Sequence, residues 1–292
     1  VARNGKIGTT HLTTLPQWLP QVKTFESGTD TLTVTLQMAN FHHAIGGAKN
    51  PIYLGLPDGL LALQRTSYML NTVLLGVLTF IGLLFLGVYA FAKREKSVLY
   101  FSMLCLTWAL RSIFSEQYLA IYWMPWFDWE LALKIEYITL YLTVAWAMLF
   151  VSYLYPLDTN KWVKAALLYP NFLFVFLTMA TPAVLYTQLL GVYLFLQGAL
   201  LIYILVIVLR ATVYERYGAW FSALGLVSLV AAFSYNYLSY QGLVEFYPLA
   251  IFSCYLIFFV LMAIALGYQL SPRANDRNFS ESLSFDDLVG KR

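Results

Sequence analysis

Charge is scarce in this chain. Asp, Glu, Lys and Arg make up 11% of its 292 residues, against about a quarter in ordinary soluble domains, and hydrophobic residues make up 60%. A soluble fold is thereby excluded. The net charge of +3 is too small to point to nucleic acid as a partner. Cysteine is nearly absent. Cys105 and Cys254 both fall inside apolar stretches, where thiols pack as small hydrophobes, so no disulfide is expected. The histidines, His11, His42 and His43, all precede the apolar part, which excludes haem held by a histidine in a membrane span. The His42–His43 pair lacks a third nearby ligand, so no metal site is expected. The last apolar stretch has no lysine and thus no retinal Schiff base. A zinc-protease histidine pair, a phosphate-cradling glycine loop and a serine–histidine arrangement are all missing. The chain reads as non-enzymatic and without a cofactor.

What is abundant is long apolar sequence. Seven stretches separated by short polar turns run from Asn71 to Leu270, and roughly 20 apolar residues suffice to cross the hydrocarbon core as a helix. The spacing predicts spans at 71–92, 97–118, 131–155, 163–181, 187–209, 217–240 and 248–270. Pro170 is expected to kink the fourth. Lys93, Arg94, Lys96, Lys161, Lys164, Arg210, Arg216, Arg273, Arg277, Lys291 and Arg292 all fall on one side of this bundle, and the connecting loops on the other side have no Lys or Arg. Cationic loops stay in the cytoplasm, so residues 1–66 are expected outside and the tail, 271–292, inside, flanking a helical domain at 67–270. Val1 is not an initiator methionine and no signal peptide is visible, which leads us to expect a processed or truncated chain.

Residues 1–66 read as β structure. Thr31 to Met38 alternates polar and apolar, the period of a strand with one wet and one buried face. Asn4-Gly5 suits a hairpin turn, and Gly46-Gly47 and Pro57-Asp58-Gly59 suit two more. The segment is short for an independent sandwich, so the chain is expected to enter this domain partway. The tail mixes Phe279, Leu283, Phe285 and Leu288 with Asp286 and Asp287, which fits either a flexible tail or a docking peptide.

Charged groups within a membrane usually face the bundle interior. Arg111 and Glu116 lie towards the outer end of the second span, and Lys134 and Glu136 towards that of the third. An Arg111–Glu136 pair at one depth is expected, as a functional polar link or as an ion pair that fixes helix register, with Lys134 reaching outward. Gln188, Asn236 and Tyr235 lie at similar depth, and Trp126 belongs to an aromatic cluster at 122–129. These four are candidates for an outer pocket; the alternative is an interfacial aromatic belt.

Beyond these patterns, Asn40-Phe41-His42-His43-Ala44-Ile45-Gly46-Gly47 followed by Pro51-Ile52-Tyr53-Leu54-Gly55 resembles the end of a jelly-roll, galactose-binding-like domain. Val1 to Gly8 resembles an earlier hairpin of that domain. Gly76 to Tyr89, the turn Lys93-Arg94-Glu95-Lys96-Ser97, and Leu99-Tyr100-Phe101 resemble the first helix and the start of the second in the seven-transmembrane receptors with diverse intracellular signalling modules. The resemblance implies a bacterial inner-membrane sensor. Its periplasmic β domain would bind a ligand such as carbohydrate, and its helices would signal to a cytoplasmic kinase, cyclase or similar module. Ser271-Pro272 breaks the helical linker that would drive an attached module, so output through a separate protein partner, or a truncated chain, is expected.

The leading expectation is therefore a receptor: a seven-helix all-α membrane bundle preceded by a partial jelly roll, in contact with lipid. The alternative is a non-catalytic structural subunit of a larger membrane complex. A transporter fits poorly, since no internal repeat is found.

Overall fold

The protein, seen here in a computed structural model, is described over residues 3–26, 31–46, 52–91 and 95–271. Among these, seven helices are long and apolar enough to cross a membrane. They are α1 (Pro57–Phe91), α2 (Lys96–Phe114), α4 (Trp129–Leu154), α5 (Lys161–Ala180), α7 (Leu190–Val213), α8 (Ala219–Tyr240) and α9 (Pro248–Leu270). Two short helices, α3 (Leu119–Trp123) and α6 (Ala183–Gln188), and a 3-10 turn at Pro156–Asp158 fill the connections.

Local chemistry sets the helix starts. The Asp128 side chain accepts from Leu131 N at 2.8 Å to open α4, and Asn160 accepts from Trp162 N at 2.9 Å to open α5. Pro57 and Pro248 begin α1 and α9, where the missing N–H costs nothing. Pro57-Asp58-Gly59 is thus a helix start, not the turn expected from its composition. It carries α1 to 35 residues, about 50 Å of helix. The fourth span continues helical through Pro170. Just beyond it the Asn171 amide donates to Leu167 O at 3.0 Å, and Tyr193 OH donates to Asn171 Oδ1 at 3.1 Å, so side chains from two helices serve the stretch around the proline.

The helices close into a ring. α1 packs on α2, α2 on α4, α4 on α5, α5 on α7, α7 on α8, α8 on α9, and α9 back on α1. α4 is the most buried of the seven, and α1 and α5 the least. The main core gathers Leu78, Phe101, Met148, Ile207 and Phe259 with their neighbours. Large apolar side chains such as Phe91, Phe195 and Trp162 point outward; no water-facing surface would tolerate so many, and lipid requires them. Close approaches use small residues. Ser102 Oγ donates to Gly82 O at 2.7 Å between α2 and α1, and Ser228 Oγ donates to Cys254 O at 2.9 Å between α8 and α9. Cys105 is buried, Cys254 half-buried, and both are free thiols.

The N-terminal part departs from expectation. Among the described residues no strand forms, and the jelly-roll reading is not upheld. A single antiparallel bridge joins Lys6 and Leu15, so the loop it closes lies after Asn4-Gly5 rather than at it, although Gly5 does take φ +65°. Thr31 to Met38 is irregular, with Val34 63% and Met38 59% exposed. Alternation marks a strand only when a neighbour takes its backbone hydrogen bonds and a second layer covers its apolar face. The carbohydrate expectation rested on that domain and loses its support. Gly47, Pro51, the Lys93-Arg94 pair and the tail from Pro272 lie outside the described residues, so the readings placed on them stay expectations.

Candidate functional site

At the end of the bundle where α2 stops and α4 starts, the N-terminal segment lies against the helices. Trp18 is its anchor. The indole makes edge contacts with Trp129 (ring centroids 5.4 Å apart), Tyr118 (6.0 Å) and His43 (5.2 Å). It borders a small cavity of about 10 Å³, lined also by Phe114, Ile121, Leu133 and Glu136, with room for roughly one water molecule. His43 Nε2 lies 3.4 Å from Tyr137 OH, and Ala44 N donates to Thr187 Oγ1 at 3.0 Å. The Gln64 amide of α1 donates to Pro20 O at 3.1 Å. His11 stacks on His42 at 4.0 Å, and His42 meets Trp129 at 6.1 Å. Burial lowers the His42 pKa, the His11 ring lowers it further, and Glu130 opposes both. Among the described residues no three His, Cys, Asp or Glu side chains converge as metal ligands.

The turn beneath Trp18 is strained. Glu116 (φ +57°) and Tyr118 (φ +50°) both take left-handed conformations, which cost non-glycine residues about 1–3 kcal/mol each and persist only where packing fixes them. Tyr118 is buried, and its hydroxyl pKa is raised, mainly by burial and further by Glu136.

Of the four expected link residues, Arg111 and Glu136 meet. Arg111 Nη1 donates to the main-chain carbonyl of Glu136 at 2.6 Å, and that carbonyl also accepts from Thr139 Oγ1 at 3.0 Å. Arg111 thus reaches α4 at the Glu136 backbone, at the depth the sequence spacing gives. Lys134 turns to Glu130, one turn earlier on α4, at 3.4 Å. Glu116 is exposed on the strained turn. The four expected pocket residues do not gather. Trp126 is 80% exposed, Gln188 and Asn236 are exposed, and Tyr235 is half-buried with its hydroxyl donating to Glu245 O at 2.8 Å. Trp126 lies before α4, Gln188 ends α6, and Tyr235 and Asn236 share α8, so surface aromatics at this end read as a belt. The anchor that does line a cavity, Trp18, carries no signal in sequence beyond being an isolated tryptophan in a polar segment.

From this site a run of rings leads inward. Tyr137 touches Tyr186 (5.3 Å) and Tyr141 (6.3 Å), and Tyr141 touches Tyr193 (4.4 Å), which ends on Asn171. The opposite end of the bundle is pinned by charge. Asp158 is buried, with Arg216 Nε at 3.5 Å and Arg210 Nε at 4.0 Å. Tyr155 OH and Ser222 Oγ are 2.7 Å apart, and Tyr203 OH accepts from Asn160 N at 2.8 Å. Asp158 was not singled out in sequence, where it is one acid beside a cationic loop.

The sequence profile of the family described as 7TM diverse intracellular signalling matches residues 67–269. The chain belongs to this family. No curated protein and no solved structure matches it. Membership makes it a seven-span membrane protein of a signalling family, and the matched stretch includes α2, α4, the Arg111 contact and both ends of the bundle.

Proposed function

We propose that the chain is a bacterial inner-membrane receptor. Its N-terminal segment, on the periplasmic side, biases the helix bundle, and its cationic end passes that bias to a cytoplasmic protein partner. On this reading it performs no catalysis of its own. The observation that carries the proposal is the seat of Trp18. It contacts the strained Tyr118 turn after α2 and Trp129 at the start of α4, next to the helix pair that Arg111 joins. A ligand or partner that displaces this segment acts on both helices at once, which gives the two bundle states a difference in affinity to work on. Clustering of Lys96, Lys161, Lys164, Arg210 and Arg216 at the far end supports a cytoplasmic assignment for that end.

The test compares wild type, Trp18→Ala and Arg111→Met in lipid nanodiscs by hydrogen exchange. Unseating Trp18 is expected to raise exchange at 114–120 and also at 155–164, on the far side of the membrane. Arg111→Met is expected to remove the distant effect of Trp18→Ala. Faster exchange confined to 114–120 would sink the proposal.

A further inference from the structure

Two lysines stand where helix electrostatics oppose them. Lys96 opens α2 directly after its N-cap Glu95, Lys164 lies in the first turn of α5 after its N-cap Asn160, and neither first turn itself has an acidic residue. The N-terminus of a helix carries partial positive charge and favours anions. Both ammonium groups nevertheless converge on one ring of α4: Lys96 Nζ is 5.5 Å and Lys164 Nζ 5.1 Å from the Tyr153 centroid. Among the described residues neither lysine has a carboxylate within ion-pair distance. Asp158 is already taken by Arg210 and Arg216.

Below the lysines the surface is aromatic. Tyr100 of α2 lies against Tyr153 (5.2 Å) and stacks on Trp146 (6.0 Å), and Trp146 meets Phe172 of α5 (6.5 Å). α2 and α5 both pack on α4, so these rings form one aromatic surface shared by the three helices; Tyr153 is 37% exposed and Phe172 40%. Trp146 lies two turns of α4 from Tyr153, about 10 Å deeper along the axis. A phosphate between the lysines with an acyl chain along Trp146 and Phe172 matches charge to charge and hydrocarbon to rings.

We infer that this lysine-capped aromatic surface binds the phosphate of an anionic phospholipid. Such a lipid neutralises Lys96 and Lys164 where they meet over Tyr153. The site is separate from the Trp18 seat and does not depend on the receptor reading.

The purified full chain in mild detergent would be titrated separately with phosphatidylglycerol, with phosphatidylcholine of the same acyl chains and with inorganic phosphate, bound ligand being counted by native mass spectrometry. Phosphatidylglycerol is expected to bind at least about tenfold more tightly than phosphatidylcholine. The K96Q/K164Q double variant is expected to lose roughly thirty-fold of that affinity. K161Q, whose lysine lies over Trp162 instead, is expected to stay within about threefold of wild type. Raising salt on the wild-type protein is expected to release phosphatidylglycerol and leave phosphatidylcholine in place, a readout that needs no variant. Equal retention of the two lipids, or a double variant that binds like wild type, would overturn the inference. So would inorganic phosphate that displaces phosphatidylglycerol at equal concentration, since the site would then belong to the bare ion.

Discussion

His42 and His11 face each other at 4.0 Å on the N-terminal segment, with Glu130 and the Trp129 ring as the neighbours from α4. Burial and the second imidazole hold the His42 pKa below its ordinary 6.5 in the docked state. The undocked segment therefore takes up a proton first as pH falls. Docking is fully stable above about pH 6.5 and weakens as pH drops from there towards the lowered docked value. Protection from hydrogen exchange at 40–46, after correction for the slower base-catalysed intrinsic exchange at lower pH, is expected to fall between pH 7 and 5.5, and His42→Gln to flatten that dependence; pH-independent protection in wild type would refute it. At this scale sequence spacing was informative for Arg111 and Glu136, because intramembrane charge is rare enough to point at itself. It was uninformative for Trp18, because a ring in an irregular segment gains its role only from the helices it meets.

Among the helices, Gly218 shows what a single position can fix. It opens α8 at φ +73°, and a Cβ there would lie 2.7 Å from Ala265 O of α9. Gly218→Ala is expected to cost about 2 kcal/mol or more, from the left-handed backbone and the forced separation of α8 from α9. The check is the thermal midpoint in detergent compared with Gly267→Ala, where a Cβ meets no neighbour within 4 Å; equal midpoints would show that α8 and α9 can part freely. Helix ends were legible where apolar runs met strong punctuation: Pro248–Leu270 is found as expected, and α4 starts within two residues of the predicted Leu131. α1 was read fourteen positions short, since Pro57–Leu70 mixes polar and apolar residues and lacks the unbroken apolar run that marks a span in sequence. The strand expected at 31–38 failed for the converse reason: period two is a property of one chain, while pairing belongs to two.

For the whole molecule, Lys96, Lys161, Lys164, Arg210 and Arg216 gather at the ends of α2, α5, α7 and α8 farthest from Trp126. In a C105S/C254S background, Trp126→Cys is expected to react with a membrane-impermeant maleimide in intact cells, and Lys161→Cys only after permeabilisation; the reverse pattern would invert the proposed orientation. Seven spans were visible from composition because the bilayer imposes its thickness on sequence. The closed ring order and the N-terminal segment's contact with α4 were not, because both depend on which apolar faces choose one another.

The length of α1 gives the bundle a mechanical property. A bilayer's hydrocarbon core is about 30 Å thick, so the portion from Pro57 to Leu70 forms a mast of roughly 20 Å beyond it. The mast is tied near its middle to Pro20 through Gln64. If the helix swings by about 10° where it enters the lipid, its tip travels almost 4 Å while the part beside Gly82 and Ser102 scarcely moves. A soft push on the N-terminal segment then becomes torque at the α1–α2 contact, and the gain is set by the arm's length.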